Sequence, residues 1–451
     1  LPPAHTLSFD FERGLEISRY WDLEYEPKHA GSDEELTDRL EQEIVDSLRA
    51  HMIADVPIGA FLSGGLDSTL VVALLAKFVL DEPIQTFSGS LKYREFDEAP
   101  AARAVAERYG TIHRERAIEP SLLRLLPMLV AQLDEPSDPL AICSYLIAGF
   151  AREHVKVALG GDGGDELFGG YDRYYGNRFA GIYALLPKAF RERVLGAWLR
   201  ESDGGGWYKS RTHQLKWLHQ LSFLEGGERY AASLGYFYFL GHEGEDLLTP
   251  EFRAQLAGAD PAAPIVAAYE NARAEHPIDR MLHADSQLRM PDHPVMILDR
   301  MTMAHGLEAR SPFLDHKLAE FAARLPMRLK VRGRSLRRVQ RALARRHLPP
   351  ELLRRPKQGF SSALPYMLRD EYALLFKLFL ENASLVSERI VQKDAVGRLL
   401  AEHRAGRADH GNRLWLLLNA ELWYRIVIGK VAHEELSAAI AEARTHSSGA
   451  H

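Results

Sequence analysis

The chain has 451 residues, 46% of them hydrophobic, with 62 acidic and 56 basic side chains, 19 histidines and one cysteine. Such a length and apolar fraction suit two or three compact domains, and the formal net charge of -6 removes the global positive field expected of a nucleic-acid-binding chain. Lone Cys143 excludes a disulfide framework and cysteine-built metal sites, which fits a reducing cytoplasm. The most apolar window, 414–428, falls short of the roughly 20 residues a membrane span needs.

Residues 1–40 show β-like stretches at 6–11 and 18–23, then a charged linker at 26–35. They read as the tail of a preceding domain in a longer chain. From about Leu40, helices and strands alternate: helix to His51, strand 57–63, helix 67–79, strand 83–90, helix 97–109, strand 111–118 and, after two helical stretches, strand 155–159. Short apolar strands between amphipathic helices predict an α/β domain over 41–200, with a doubly wound parallel sheet covered on both faces. Strand signals fade after Tyr175. A mainly helical region follows over 201–445, with a disordered tail at 446–451. The basic run 332–346 reads as a solvated helix face.

Directly behind the apolar run 57–62 stands Ser63-Gly64-Gly65-Leu66-Asp67-Ser68. Its glycines let the backbone turn sharply and present consecutive amides to an anion, and the serines add hydroxyl donors. The helix that follows aims its positive dipole end at the same place. A triphosphatase P-loop would close on Gly-Lys-Ser or Gly-Lys-Thr. Asp67 stands here instead, and a carboxylate beside phosphate calls for a cation between them, Mg²⁺ by the hardness of its oxygen ligands. The segment reads as a site for metal-bound pyrophosphate, against the plainer reading of a glycine-rich turn.

A second constellation follows the strand at 155–159. Residues 160–171, Gly-Gly-Asp-Gly-Gly-Asp-Glu-Leu-Phe-Gly-Gly-Tyr, pack six glycines and three acids into twelve positions. In a parallel sheet this strand end can face the first loop, because ligands gather at the carboxyl ends of the strands. Asp67 and Asp165 can then share one Mg²⁺. The plainer alternative is an acidic, calcium-like turn.

Both loops resemble those of the synthetase domain of glutamine-dependent asparagine synthetases, members of the PP-loop ATP pyrophosphatase superfamily. The resemblance extends over about 300 residues. It takes in Phe87-Ser88, Phe96-Asp97-Glu98-Ala99, Asp134-Glu135-Pro136 with Asp138, Asp299-Arg300-Met301, 308–315 (Glu-Ala-Arg-Ser-Pro-Phe-Leu-Asp) and 355–360 (Arg-Pro-Lys-Gln-Gly-Phe).

The resemblance implies that ATP adenylates the side chain of aspartate, releasing pyrophosphate, and that ammonia converts the β-aspartyl-AMP to asparagine and AMP. It assigns the ATP and pyrophosphate contacts to Phe61, Ser63, Gly64, Gly65, Leu66, Asp67, Ser68, Gly89, Gly160 and Gly161, and Mg²⁺ to Asp67 and Asp165. Asp162 takes the general-base position, where many relatives have Glu. Lys357 stabilises charge on the α-phosphate, and Arg310 and Asp134 shape the substrate pocket unless they serve structural ion pairs.

It also implies a preceding glutaminase domain that supplies ammonia from glutamine, and a possible homodimer. No nucleic-acid or membrane partner is expected.

Three departures stand out. The sequence carries no N-terminal cysteine nucleophile, Gly161 replaces a frequent serine, and Leu336-Arg337-Arg338-Val339-Gln340 replaces a Lys-x-Leu-Leu-Arg pattern, with Arg337 or Arg338 to supply the charge. Relatives that share the adenylating machinery keep other acids open: β-lactam synthetases, lasso-peptide cyclases and polysaccharide amidotransferases. A catalytically silent binding module is a further alternative.

Overall fold

The computed structural model describes residues 1–91, 97–118, 120–136, 140–201, 211–235, 246–353 and 373–448. Expectations for Phe96, Asp138 and Lys357, with the rest of 354–360, fall outside these residues.

The chain opens with an antiparallel hairpin, β1 (His5–Asp10) and β2 (Gly14–Arg19). The second strand begins four residues earlier than the expected stretch at 18–23. Asp10 Oδ1 accepts the N–H groups of Glu12 and Arg13, and Gly14 takes φ 78°, so the chain reverses as soon as β1 ends. The linker expected over 26–35 is likewise shorter. Ser32 and Glu35 form a reciprocal capping box that starts α1 (Asp33–His51) before Leu40.

β3 (Ile58–Phe61), α2 (Leu66–Phe78), β4 (Gln85–Leu91), α3 (Ala99–Tyr109) and β5 (Ile112–Ile118) follow as alternating units. After α4 (Leu126–Leu133) and α5 (Leu140–Arg152) comes β6 (Val157–Leu159). β7 (Glu308–Arg310) closes a five-stranded sheet of order β5-β4-β3-β6-β7, with every pairing parallel. The chain builds outward from β3 to β5, then returns to the other side of β3. The crevice between the ends of β3 and β6 is therefore the topological switch point, where α/β sheets bind ligands.

Both sheet faces are covered, which explains the continuous apolar strands. Ala60, Leu62 and Leu159 pack with α1, α2 and α3, while Phe87, Val155 and Ala158 pack with Ala148, Phe150 and Ala151 of α5 and its flank. Leu70 to Leu75 of α2 are all fully buried. Each large aliphatic among them contributes about 1.5–3 kcal/mol of hydrophobic stabilisation. A second core, including Leu129 and Val130 of α4 with Leu414, Trp415 and Leu418, organises the helical region. The last helix, His433–Ser448, runs through part of the expected tail.

Candidate active site

β3 ends in a backbone bond from Leu62 N–H to the Phe87 carbonyl (2.9 Å), after which the chain leaves the sheet. Gly64 sits at φ 76°, and a Cβ there would lie 2.6 Å from Ala101 Cβ and 2.8 Å from Ala102 N. Neither the dihedral nor the space admits a side chain. Ser63 and Ser68 hold the loop shut: their hydroxyls lie 3.0 Å apart, and Ser63 Oγ accepts Gly65 N–H at 3.2 Å. Gly65 is the N-cap of α2 and brings no capping side chain. The first-turn amides of an α-helix have no intrahelical acceptor, so this end offers free donors of the kind that an anion can take.

The β6 loop packs against that turn. A Cβ on Gly164 would sit 2.3 Å from Asp67 Oδ1, and one on Gly170 would sit 1.8 Å from Asp165 Oδ1. These glycines make room for two carboxylates in one crevice. Arg337 Nη1 lies 3.0 Å from Asp67 Oδ2 and 3.0 Å from Asp165 Oδ1, and the three side chains are 6%, 19% and 14% exposed, arginine first. Gln340 Nε2 donates to Asp67 Oδ1 at 2.5 Å. Both acids raise the Arg337 pKa against the opposing effect of burial.

Two hard oxygens that converge on one cationic point fit a Mg²⁺ ion. Among the described residues no cluster of three or more His, Cys, Asp or Glu side chains could hold a metal alone. The remaining ligands would come from phosphate and water, the usual mode for this ion.

Asp162 lies on the same loop and lines the same cleft. Burial, then Glu166 and, more weakly, Asp67 and Asp165, push its pKa up to about 6, against a lowering bond from its own backbone. A carboxyl so placed exchanges a proton near neutral pH. Phe61, Gly89, Gly160 and Gly161 also line this cleft, whose volume is about 2510 Å³.

Two expected pocket residues sit elsewhere. Arg310 donates from Nη1 to the carbonyls of His51 (2.7 Å) and Ile53 (2.9 Å) and from Nε to Glu308 (2.7 Å), tying the end of α1 to the sheet edge. Its guanidinium is spent on structure and does not line the cleft. Asp134 terminates α4 in a left-handed conformation and its carbonyl accepts Trp423 Nε1–H. Leu133 and Glu135 on either side line the cleft, and Asp134 does not.

Other residues enter the site that sequence reasoning missed. Buried Glu166 accepts from Arg289 Nη1 (2.8 Å) and Tyr171 OH (2.5 Å). Asp285 accepts from Arg173, Tyr174 and Tyr230, each at 2.5 Å. Tyr171 and Arg173 trail the glycine run directly, a signal that was available. Asp285 and Arg289 carry no motif of their own.

The family model for asparagine synthase matches residues 39–425. A Mycobacterium tuberculosis protein named "Putative asparagine synthetase (glutamine-hydrolyzing)" is 33% identical over 420 residues, 91% of this chain and 61% of that protein. The Bacillus subtilis protein "Asparagine synthetase (glutamine-hydrolyzing) 1" is 28% identical over 431 residues, 94% of this chain and 64% of its own length. A Penicillium rubens protein, "Amidase chyE", is 26% identical over 84% of this chain and 58% of its own. The chain thus spans less than two thirds of the length of these relatives.

Proposed function

The chain belongs to the asparagine synthase family, and on that premise we propose that it activates a carboxylate with ATP and transfers the acyl group to ammonia, with aspartate as the acid and asparagine, AMP and pyrophosphate as products. The observation that carries this reading is the convergence of Asp67 and Asp165 beside the Ser63 to Ser68 loop at the switch point. The sheet on this reading is of the PP-loop type.

The loop amides and the hydroxyls of Ser63 and Ser68 hold the β and γ phosphates. Asp67 and Asp165 would hold Mg²⁺, which supplies charge neutralisation for the leaving pyrophosphate. Arg337 then exchanges its two carboxylates for phosphate oxygens. Attack by the substrate carboxylate on the α-phosphorus forms the acyl-adenylate and expels pyrophosphate. Lys357 is the cation for the α-phosphate. It stands four positions beyond Leu353, which lines the cleft, and that stretch reaches at most about 14 Å when extended. Ammonia attacks the acyl carbon, Asp162 accepts the proton and AMP departs.

The ammonia comes from solution or from a glutaminase domain, and the exposed Phe9, Phe11 and Leu15 of the hairpin fit a surface such a domain covers. Another acid is the second reading, favoured only by the distant likeness to an amidase. Incubation with ATP, Mg²⁺, ammonium and aspartate tests the proposal: equal amounts of pyrophosphate, AMP and asparagine are expected. Absence of pyrophosphate with every acid offered would remove the adenylation reading.

A further inference from the structure

The basic run 332–346, a solvated face by sequence, is divided in the structure. The helix Arg338–His347 turns Arg346 and His347 toward α1, where Arg346 Nη1 lies 2.5 Å from Asp38 and 3.3 Å from Glu41, and His347 Nε2 lies 3.0 Å from Glu41. Its other face is different. Arg341 and Arg345 stand one turn apart on one side of the helix, Arg337 precedes them as its N-cap in a left-handed conformation, and all three line the cleft that holds the phosphate loop.

Exposure increases outward along this row. Arg337 is buried, Arg341 half-buried and Arg345 exposed. Arg337 is neutralised by Asp67 and Asp165, whereas no carboxylate among the described residues pairs with Arg341 or Arg345. Arg341 Nε is buried there without a hydrogen-bond partner. Burial, and then the like charges of Arg337 and Arg345, hold the Arg341 guanidinium below its ordinary pKa. The helix thus pairs Arg346 and His347 on its outer face and leaves Arg341 and Arg345 beside one another on its cleft face without a carboxylate among the described residues, an arrangement that an anion would relieve.

We propose that Arg337, Arg341 and Arg345 form a relay that carries inorganic pyrophosphate between the Ser63 to Ser68 loop and solvent, with Arg341 and Arg345 as its transient outer site. The inference rests on the adenylation reading, which makes pyrophosphate a product at the inner end. A step of four residues rises about 6 Å along the helix. A two-phosphate anion can therefore engage the next guanidinium before releasing the last. The outer pair lowers the barrier to passage in both directions. Arg345 adds little to affinity at the loop, because it stands about 12 Å along the helix from Arg337, beyond a Debye length at physiological salt, whereas Arg341, about 6 Å away, lies within one.

The test is rapid filtration of radiolabelled pyrophosphate with saturating Mg²⁺, using the full chain, the Arg341→Gln and Arg345→Gln variants and the double variant. The association and dissociation rate constants of Arg345→Gln should both fall about 3- to 10-fold, with the equilibrium Kd within about twofold of the parent, and association with the double variant should be at least as slow. Thermal midpoints should not fall, because no described ion pair is lost. Unchanged rate constants would overturn the relay and leave a solvated face. A weakened Kd with faster dissociation in Arg345→Gln would overturn it too, by making that arginine part of the inner site. Failure of the parent chain to bind pyrophosphate at all would sink the adenylation reading and the relay with it.

Discussion

Asp67 and Asp165, 98 positions apart in the sequence, meet at a single nitrogen: Arg337 Nη1 lies 3.0 Å from a carboxylate oxygen of each. α2 delivers one acid, and the short helix Gly164–Phe168 that follows β6 delivers the other. Their convergence follows from the pairing of β3 with β6, which sets Ala60 beside Leu159 in parallel register. On the proposed reading, a metal-bound pyrophosphate would compete with the guanidinium for the same two carboxylates.

Replacing Asp67 by Asn keeps the shape and removes the charge. Pyrophosphate release should fall by about 10²- to 10³-fold, the scale on which loss of one preorganised electrostatic contact acts. A pyrophosphate release assay with saturating ATP, Mg²⁺ and aspartate checks this. Turnover near that of the parent would remove Asp67 from the site.

Arg337→Met leaves two carboxylates facing each other in a partly buried crevice. Breaking such a pair from one side costs about 3 kcal/mol, so the melting temperature should drop. Millimolar Mg²⁺ should then restore more stability to this variant than to the parent, since the ion no longer competes with a guanidinium. Differential scanning calorimetry with and without the ion reads both effects. An equal Mg²⁺ response in the two proteins would contradict the competition.

Asp162 gives a prediction in pH. Its folded pKa of about 6 lies above its unfolded value of 3.8, so the unfolded chain gives up this proton first and the group's contribution to stability falls as pH rises from about 4 to 6. The two-unit difference is worth about 3 kcal/mol at most. Asp162→Asn should therefore gain in melting temperature over the parent at pH 7.5 and lose that advantage near pH 4. The same variant should retain adenylation and lose amide formation, which a comparison of ATP–pyrophosphate exchange with asparagine production separates.

Gly161 stands where the resemblance implied a serine. A Cβ there would lie 2.7 Å from Ser68 N and 3.0 Å from Asp67 Cβ, against the first turn of α2. Gly161→Ser should destabilise the protein by about 1–3 kcal/mol through overpacking and raise the KM for ATP, although it supplies the hydroxyl that the resemblance implied. Urea titration and initial rates measure the two effects.

Much of this was legible in the sequence because short-range patterns carry it. Glycines bound to a strand end located both loops, and a continuous apolar run followed by apolar residues at helical spacing located β3 and α2. The capping box at Ser32 was equally local, but a run of charges hid it within an apparent linker. Arg337 was identifiable only as one of two replacements for a lost lysine, because which of two adjacent arginines enters a crevice depends on how the helix is seated. The pairing of Glu166 with Arg289 spans 123 positions and rests on tertiary packing alone. Arg310 shows the opposite case, a motif arginine whose guanidinium ties together backbone carbonyls at the sheet edge.

The most direct test of the central claim is isotope exchange between ATP and radiolabelled pyrophosphate with no ammonia present. With Mg²⁺ and aspartate the chain should return label to ATP, and omission of aspartate, omission of Mg²⁺ or the Asp67→Asn substitution should each abolish exchange. Exchange that runs without any carboxylate substrate, or that survives Asp67→Asn, would contradict carboxylate adenylation at the site that joins Asp67 to Asp165.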